Sequence, residues 1–285
     1  MIKKSFYSFM AQVLLIYFVC VVPGYGQLFS NPWRQTSETS TCGRLIQDWS
    51  ACGVASRTGS SMETSPCDCC GDFGNNSICS YPSYYGTRRS LFNGEDLTGW
   101  TNVKGEKPGE GWKVVDGTIF RESNAGDLYA EGKFENFILE FEFKISEKGN
   151  SGVKYRSWNT DGFGLGCEYQ IYDDVNDSKN PPKYQTASLY DVIVPREGTG
   201  KIKMGEFNRG KIIVLGDHIE HYLNDELIMS VDVGSNEWNE GVQKSKFKDV
   251  EEFGVTRIGR IFLQDHNCKV WFKELYITEL QPTGF

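Results

Sequence analysis

The chain has 285 residues, 39% hydrophobic, 14% aromatic and 24% charged, which is enough apolar mass to bury a substantial core. Thirty Lys and Arg stand against 38 Asp and Glu, a net charge of −8 that argues against nucleic acid or an anionic membrane surface as partner. With 31 Gly, 14 Tyr, 18 Phe and 7 Trp, the composition leans towards a β protein and away from a coiled coil or a disordered chain.

Met1–Gln27 has the three parts of a signal peptide. Lys3 and Lys4 precede an apolar stretch whose unbroken part is Val13–Val22, and the small residues Gly24 and Gly26 follow. The apolar run is well below the ~20 residues a membrane-spanning helix needs. The expectation is therefore export to periplasm or medium, cleavage after Gly26 (segment 1–26) and no transmembrane anchor. Cys20 lacks the small residue before it that lipoprotein processing requires.

Export changes the reading of the cysteines. Beyond Cys20 there are six in a cluster (Cys42, Cys52, Cys67, Cys69, Cys70 and Cys79) and two distant ones, Cys167 and Cys268. An even cluster in an oxidising compartment is a disulfide framework, with 15 connectivities that sequence cannot separate. A zinc site is disfavoured, because the cluster has no paired CxxC and no His. Segment 27–88 is Ser-, Gly- and Thr-rich with little to bury, and is expected to be a small disulfide-stabilised appendage. Cys167 should face a core, and a bridge to Cys268 stays open.

From position 89 to 285 the pattern is strands. Trp112–Val115 and Thr118–Phe120 flank Asp116-Gly117, a two-residue hairpin turn. Phe137–Ile145 alternates Phe137, Leu139, Phe141, Phe143 and Ile145 with Glu140, Glu142 and Lys144, the period-2 signature of a half-buried strand. Further strands are expected over Gly152–Arg156, Cys167–Tyr172, Lys211–Leu215, Ile219–Leu223, Leu227–Val233, Ile258–Gln264 and Lys269–Leu280. No segment carries a 3.6-residue stripe over three turns. Many short strands without βα alternation predict an all-β, two-sheet antiparallel jelly-roll sandwich.

Parity along these strands selects candidate site residues. Lys154 and Arg156 share one face, as do Glu168, Gln170 and Tyr172, and as do Phe262, Gln264 and His266. In a sandwich these faces look outwards and would form a hydrogen-bonding floor for a hydroxyl-rich or anionic small ligand. A solvated strand face accounts for the same parity, and His221, in an apolar strand, reads as a satisfied structural histidine. The acid spacing Glu168-Tyr-Gln170-Ile-Tyr-Asp173 imitates the ExDxxE of laminarinase-type glycosidases, but Gln170 replaces the middle acid. Asp173–Asp177 lacks the Gly and closing Glu of an EF-hand loop and reads as a solvated acidic turn. GxSxG, HExxH and P-loop motifs are absent.

Several stretches together resemble the 3-keto-disaccharide hydrolase domain family. They are Leu91-Phe92-Asn93-Gly94 with Leu97-Thr98-Gly99-Trp100, Gly149–Gly152 leading to Arg156, Glu168–Ile171, Gly205–Asn208, Leu263–His266 and Ile277–Leu280. The resemblance covers about 190 residues and omits the cysteine-rich segment. Phe207 stands where the family commonly has Trp, Cys268 where Gly is usual, and an insertion runs through Asn236–Phe253. The resemblance implies a concanavalin A-like jelly roll and cleavage of glycosides already oxidised at sugar carbon 3. The ketone acidifies the carbon-2 proton, so a base can expel the aglycone by β-elimination before water adds, without the carboxylate pair of an ordinary glycosidase. It further implies His266 or Glu168 as base or acid and Arg156 as the clamp on the enolate or a hydroxyl. Asn150, Gln170, Gln264 and Asp265 would orient the sugar or the histidine, with Lys154 and Tyr172 completing the substrate floor. No motif demands a cofactor, and a divalent metal held by some of the same atoms stays open, as does the oligomeric state. The alternative function is a non-catalytic, lectin-like carbohydrate-binding module of the cell envelope using Trp158, Trp238 and Tyr172 as aromatic platforms. A titratable pair such as His266 and Glu168 separates the two, since a binder has little use for one.

Overall fold

Alternation builds the centre of the protein. In the strand Phe137–Ile145 every odd-numbered side chain is buried and every even-numbered one is partly exposed, so one face of the strand supplies core and the other meets water. Each buried Phe, Leu or Ile contributes roughly 1.5–3 kcal/mol relative to exposure. The computed structural model describes residues 84–158, 165–251 and 253–282; the expected signal peptide and the six clustered cysteines lie outside them.

Among the described residues thirteen strands follow in chain order: β1 (Tyr84–Ser90), β2 (Trp100–Thr101), β3 (Trp112–Val115), β4 (Thr118–Arg121), β5 (Leu128–Ala130), β6 (Phe137–Ile145), β7 (Asn150–Ser157), β8 (Cys167–Tyr172), β9 (Asn208–Leu215), β10 (His218–Leu223), β11 (Glu226–Asp232), β12 (Arg260–Leu263) and β13 (Val270–Pro282). They form two antiparallel sheets. The larger runs β11-β10-β9-β6-β13-β4-β3, with β1 also pairing to β13, and the smaller runs β2-β5-β12-β7-β8. β1 pairs with β13 from Tyr84 onwards, so the sheet takes in residues on both sides of position 88. The β3–β4 turn has φ of 50° at Asp116 and 69° at Gly117, the paired positive values of a type I′ hairpin.

The core lies between the sheets. Phe141 meets Tyr169 edge to face at 5.2 Å, and Phe137 meets Tyr155 at 6.2 Å. His221 is fully buried there. Burial lowers its pKa to about 3, so the ring is neutral: Nδ1 donates to the Ala187 carbonyl at 3.0 Å and Nε2 accepts from the Tyr155 hydroxyl at 2.8 Å. Cys167 is buried in the same core, and both it and Cys268 are free thiols. The bridge left open between them is not formed; the Cys268 thiol donates instead to the Asn150 carbonyl at 2.9 Å.

One helix was not foreseen. α1 (Asn236–Gln243) begins at Ser235, whose Oγ accepts from the Trp238 amide at 3.2 Å. It has one buried side chain, Trp238, which explains why no stripe was legible. Trp238 stacks on Phe253 at 5.7 Å, and Phe253 on Phe247 at 4.1 Å, joining the insertion to the main core through aromatic rings. Trp238 is thus no exposed platform. Asp173 is also buried rather than solvated, accepting from the Lys148 amide at 2.7 Å and the Asn176 side chain at 2.8 Å.

Candidate active site

The outward face of the five-stranded sheet carries the site. Paired residues of antiparallel strands share a face, and the register aligns them in rows. Tyr129, Phe262, Lys154 and Glu168 form one row across β5, β12, β7 and β8. The next row has Gly152 opposite Gln170, with Gln264 tied to Gly152 by its amide at 2.9 Å. Extending the Leu263–Leu128 pairing by one residue sets Asp127 at the end of that row. Asn150 and Tyr172 pair in the row beyond.

This face is covered, unlike an ordinary solvated one. Glu168 is 5% exposed and Gln170 1%. Segment 187–190 runs along the free edge of β8: the Ala187 amide donates to Gln170 O, the Gln170 amide to Ser188 O, and the Tyr190 amide to Glu168 O. Ala187 and Asp191 bracket it with left-handed φ of 65° each, a backbone state that persists for non-glycine residues only where the surroundings impose it. The His221–Ala187 bond is one such constraint.

Within the floor, Glu168 lies 3.4 Å from the Lys154 ammonium. Burial raises its carboxyl pKa, opposed first by Lys154 and then by Lys246. Gly152 makes room for it, since a Cβ there would come within 2.6 Å of Glu168 Oε1. Gln170 Oε1, Gln264 Oε1 and the Tyr129 hydroxyl are buried without a hydrogen-bond partner. Buried polar groups left unpaired cost free energy, so these three atoms mark where a polar ligand would be satisfied.

The structure brings Glu168, Gln170, Lys154 and Gln264 together, with Asn150 at the start of β7 and Tyr172 at the rim. The Tyr172 hydroxyl donates to Asp177 at 2.9 Å. His266 follows the end of β12 in the exposed loop that closes the row. Two expected residues do other work. Arg156 is buried at φ 51° in a bulge, where β7 carries an extra residue between its pairings with Phe262 and Arg260. The bulge breaks parity and sends the guanidinium away from the floor to the carbonyls of Gly216 and Gly254. Asp265 is a buried anchor instead of a sugar contact. Its Oδ1 pairs with Arg121 at 2.6 Å, and its Oδ2 accepts from the Ala125 and Gly126 amides at 2.6 and 2.8 Å.

Sequence reasoning missed Asp127 and Tyr129. β5 is three residues long, and only the alternation of Asp127 and Tyr129 with the buried Leu128 and Ala130 could have marked it. Burial raises the Asp127 carboxyl pKa, opposed by the Asp265 amide, Lys154 and His266. Burial also pushes the Tyr129 phenol to about 12. Among the described residues no three His, Cys, Asp or Glu side chains converge as metal ligands, and no helix is long and apolar enough to cross a membrane.

Known proteins share this architecture. A curated 3-keto-disaccharide hydrolase of Bacteroides thetaiotaomicron is 30% identical over 226 residues, covering 67% of this chain and 78% of its own. A Parabacteroides distasonis protein assigned as a glycosyl hydrolase superposes with a TM-score of 0.62 at 30% identity, over 68% of this chain and 94% of that one. A second protein of that organism, at 21% identity and a TM-score of 0.53 over 67% of this chain and 98% of that one, shares the fold. The model of the 3-keto-alpha-glucoside-1,2-lyase-like domain matches residues 87–278, and the chain belongs to that family.

Proposed function

We propose that the protein is an exported carbohydrate-active enzyme that cleaves 3-keto-glycosides by β-elimination followed by hydration. The name of the Bacteroides relative supports a carbohydrate-active hydrolase. The observation that carries the mechanism is the buried Glu168 carboxylate beside Lys154, with two unpaired amide oxygens in the adjacent row. Burial makes Glu168 a stronger base than an exposed carboxylate, suited to a proton acidified by a neighbouring ketone. Glu168 takes the carbon-2 proton, and the Lys154 ammonium meets the negative charge that develops on the carbon-3 oxygen. Lys154 thus takes the part expected of Arg156. Gln170 and Gln264 accept hydrogen bonds from sugar hydroxyls. His266, exposed beyond the end of β12, stands at the open side of the floor.

The test is aglycone release by the purified protein from a 3-keto-glycoside, the same substrate deuterated at carbon 2, and the unoxidised glycoside. The reading expects release from the first, slower release from the second when proton removal limits the rate, and none from the third. Equal release from oxidised and unoxidised substrates would mean ordinary glycosidase chemistry. Tight glycan binding with no release from any of them would favour the binding-module reading. Export and the disulfide framework belong to the same proposal and rest on the sequence alone. Counting thiols on the denatured mature protein should find two, Cys167 and Cys268.

A further inference from the structure

The elimination needs a second proton transfer that none of the residues assigned above provides. When the bond between carbon 1 and the glycosidic oxygen breaks, that oxygen keeps the electron pair. If it belongs to a sugar alcohol it must be protonated to leave. Three observations converge on the β5 end of the floor. A groove of about 200 Å³, close to the size of one sugar ring, is lined by Asn102, Lys104, Ala125, Gly126, Asp127 and Tyr129 among others. The Tyr129 hydroxyl is buried there without a hydrogen-bond partner. Asp127 stands where this groove meets the Gln264–Gly152–Gln170 row, and its position is fixed from behind, because Oδ1 accepts from the Asp265 amide at 2.9 Å. Asp265 is in turn clamped by Arg121 and by the amides of Ala125 and Gly126.

We infer that the groove is the subsite for the leaving sugar and that Asp127 is the general acid that protonates the departing oxygen. This rests on the elimination reading and adds its missing half. Glu168 removes the carbon-2 proton and the ketone holds the electron pair as an enolate. The enolate then re-forms the ketone, a double bond forms between carbons 1 and 2, and the bond from carbon 1 to oxygen breaks. Asp127 gives its proton to the oxygen and becomes a carboxylate. Hydration runs the same groups in reverse: Asp127 takes a proton from water as hydroxide adds to carbon 1, and Glu168 returns its proton to carbon 2. Burial favours a protonated Asp127, as a general acid requires. The two carboxyls sense one another, since Asp127 is among the charges that raise Glu168.

Leaving-group dependence tests the role. Asp127→Asn keeps the oxygen that accepts from the Asp265 amide, so the loop should hold its fold, and circular dichroism checks this. On a 3-keto-disaccharide the variant should lose about 10²–10³-fold in turnover. On a nitrophenyl 3-keto-glucoside, whose leaving group departs without a proton, the loss should stay below about tenfold. Equal losses on both substrates, or none on either, would overturn the acid role while leaving the elimination reading intact. A wild type inert on both substrates would overturn that reading and this one together. Tyr129→Phe probes the groove separately and should raise KM for the disaccharide with kcat retained; an unchanged KM would overturn the subsite.

Discussion

On the eight-stranded sheet, outward side chains of β1, β6 and β13 pair with one another at the surface. Arg88 bonds Glu140 at 2.9 Å and Lys273 bonds Glu142 at 3.2 Å, with the Arg88 and Glu140 side chains each more than 40% exposed. On the five-stranded sheet the outward side chains are of the same kinds and follow the same parity, yet Glu168 and Gln170 are closed over. The difference shows in the neighbours of Glu168: segment 187–190 hydrogen-bonds along the free edge of β8, and Lys154 and Lys246 stand close to the carboxylate. The Glu140 carboxylate stays at the surface beside Arg88, whereas burial gives the Glu168 carboxylate a raised pKa and chemistry.

The comparison breaks most visibly at Glu168. Glu168→Gln keeps the shape, removes the base, and should lower release from a 3-keto-glycoside by about 10²–10⁴-fold; full turnover would remove Glu168 from the mechanism. The buried Arg121–Asp265 pair comes next. Arg121→Met strands a buried carboxylate and should cost about 3–5 kcal/mol in urea unfolding; a cost below about 1 kcal/mol would mean that the loop amides hold Asp265 unaided. Gly152→Ala inserts a Cβ against the Glu168 carboxylate and should lower kcat by up to about 10²-fold through misplacement alone, with the melting temperature nearly unchanged.

Two milder tests belong to the open sheet. His218 sits between Asp232, 2.6 Å from Nδ1, and Glu220, 3.2 Å from Nε2. Burial lowers its pKa, but these two carboxylates outweigh that and raise it to about 9. A raised histidine stabilises the fold fully below its unfolded pKa near 6.5, and that contribution fades as pH climbs through 9. The stability gap between wild type and His218→Gln should therefore be about 1–3 kcal/mol at pH 6 and shrink towards pH 10; a gap that does not change with pH would deny the clamp. Glu122→Gln removes the exposed Lys113–Glu122 pair and should cost less than about 1 kcal/mol.

Much of this was readable in the sequence, and the failures share one physical cause. The Asp116-Gly117 turn located β3, and alternation located β6 and β8 to the residue, because apolar–polar runs leave a register that buries the apolar set. It brought Glu168, Gln170, Lys154 and Gln264 onto one face for the same reason. It failed at Arg156, where one extra residue in β7 reverses parity, and at Asp127 and Tyr129, where three residues are too few to show a period. Asp265 kept its strand-end position but took a structural partner, Arg121, 144 residues away, and no local pattern encodes a contact at that separation. Cover is non-local in the same way, so the sequence could mark a polar face without telling which of the two sheets would be closed over.

The position of β13 has a consequence for how the chain is made. It is the last of the described strands, yet it lies inside the larger sheet, pairing with β6 on one side and with β4 and then β1 on the other. As the chain emerges from its N-terminus, β6, β4 and β1 are complete long before their shared partner exists, and each holds an unpaired edge ready for other strands. Closure must wait for β13 and for contacts spanning nearly all the described strands, which makes for slow folding. Removing β13 would therefore split the sheet down its middle, whereas loss of β11, an edge strand, would only narrow it.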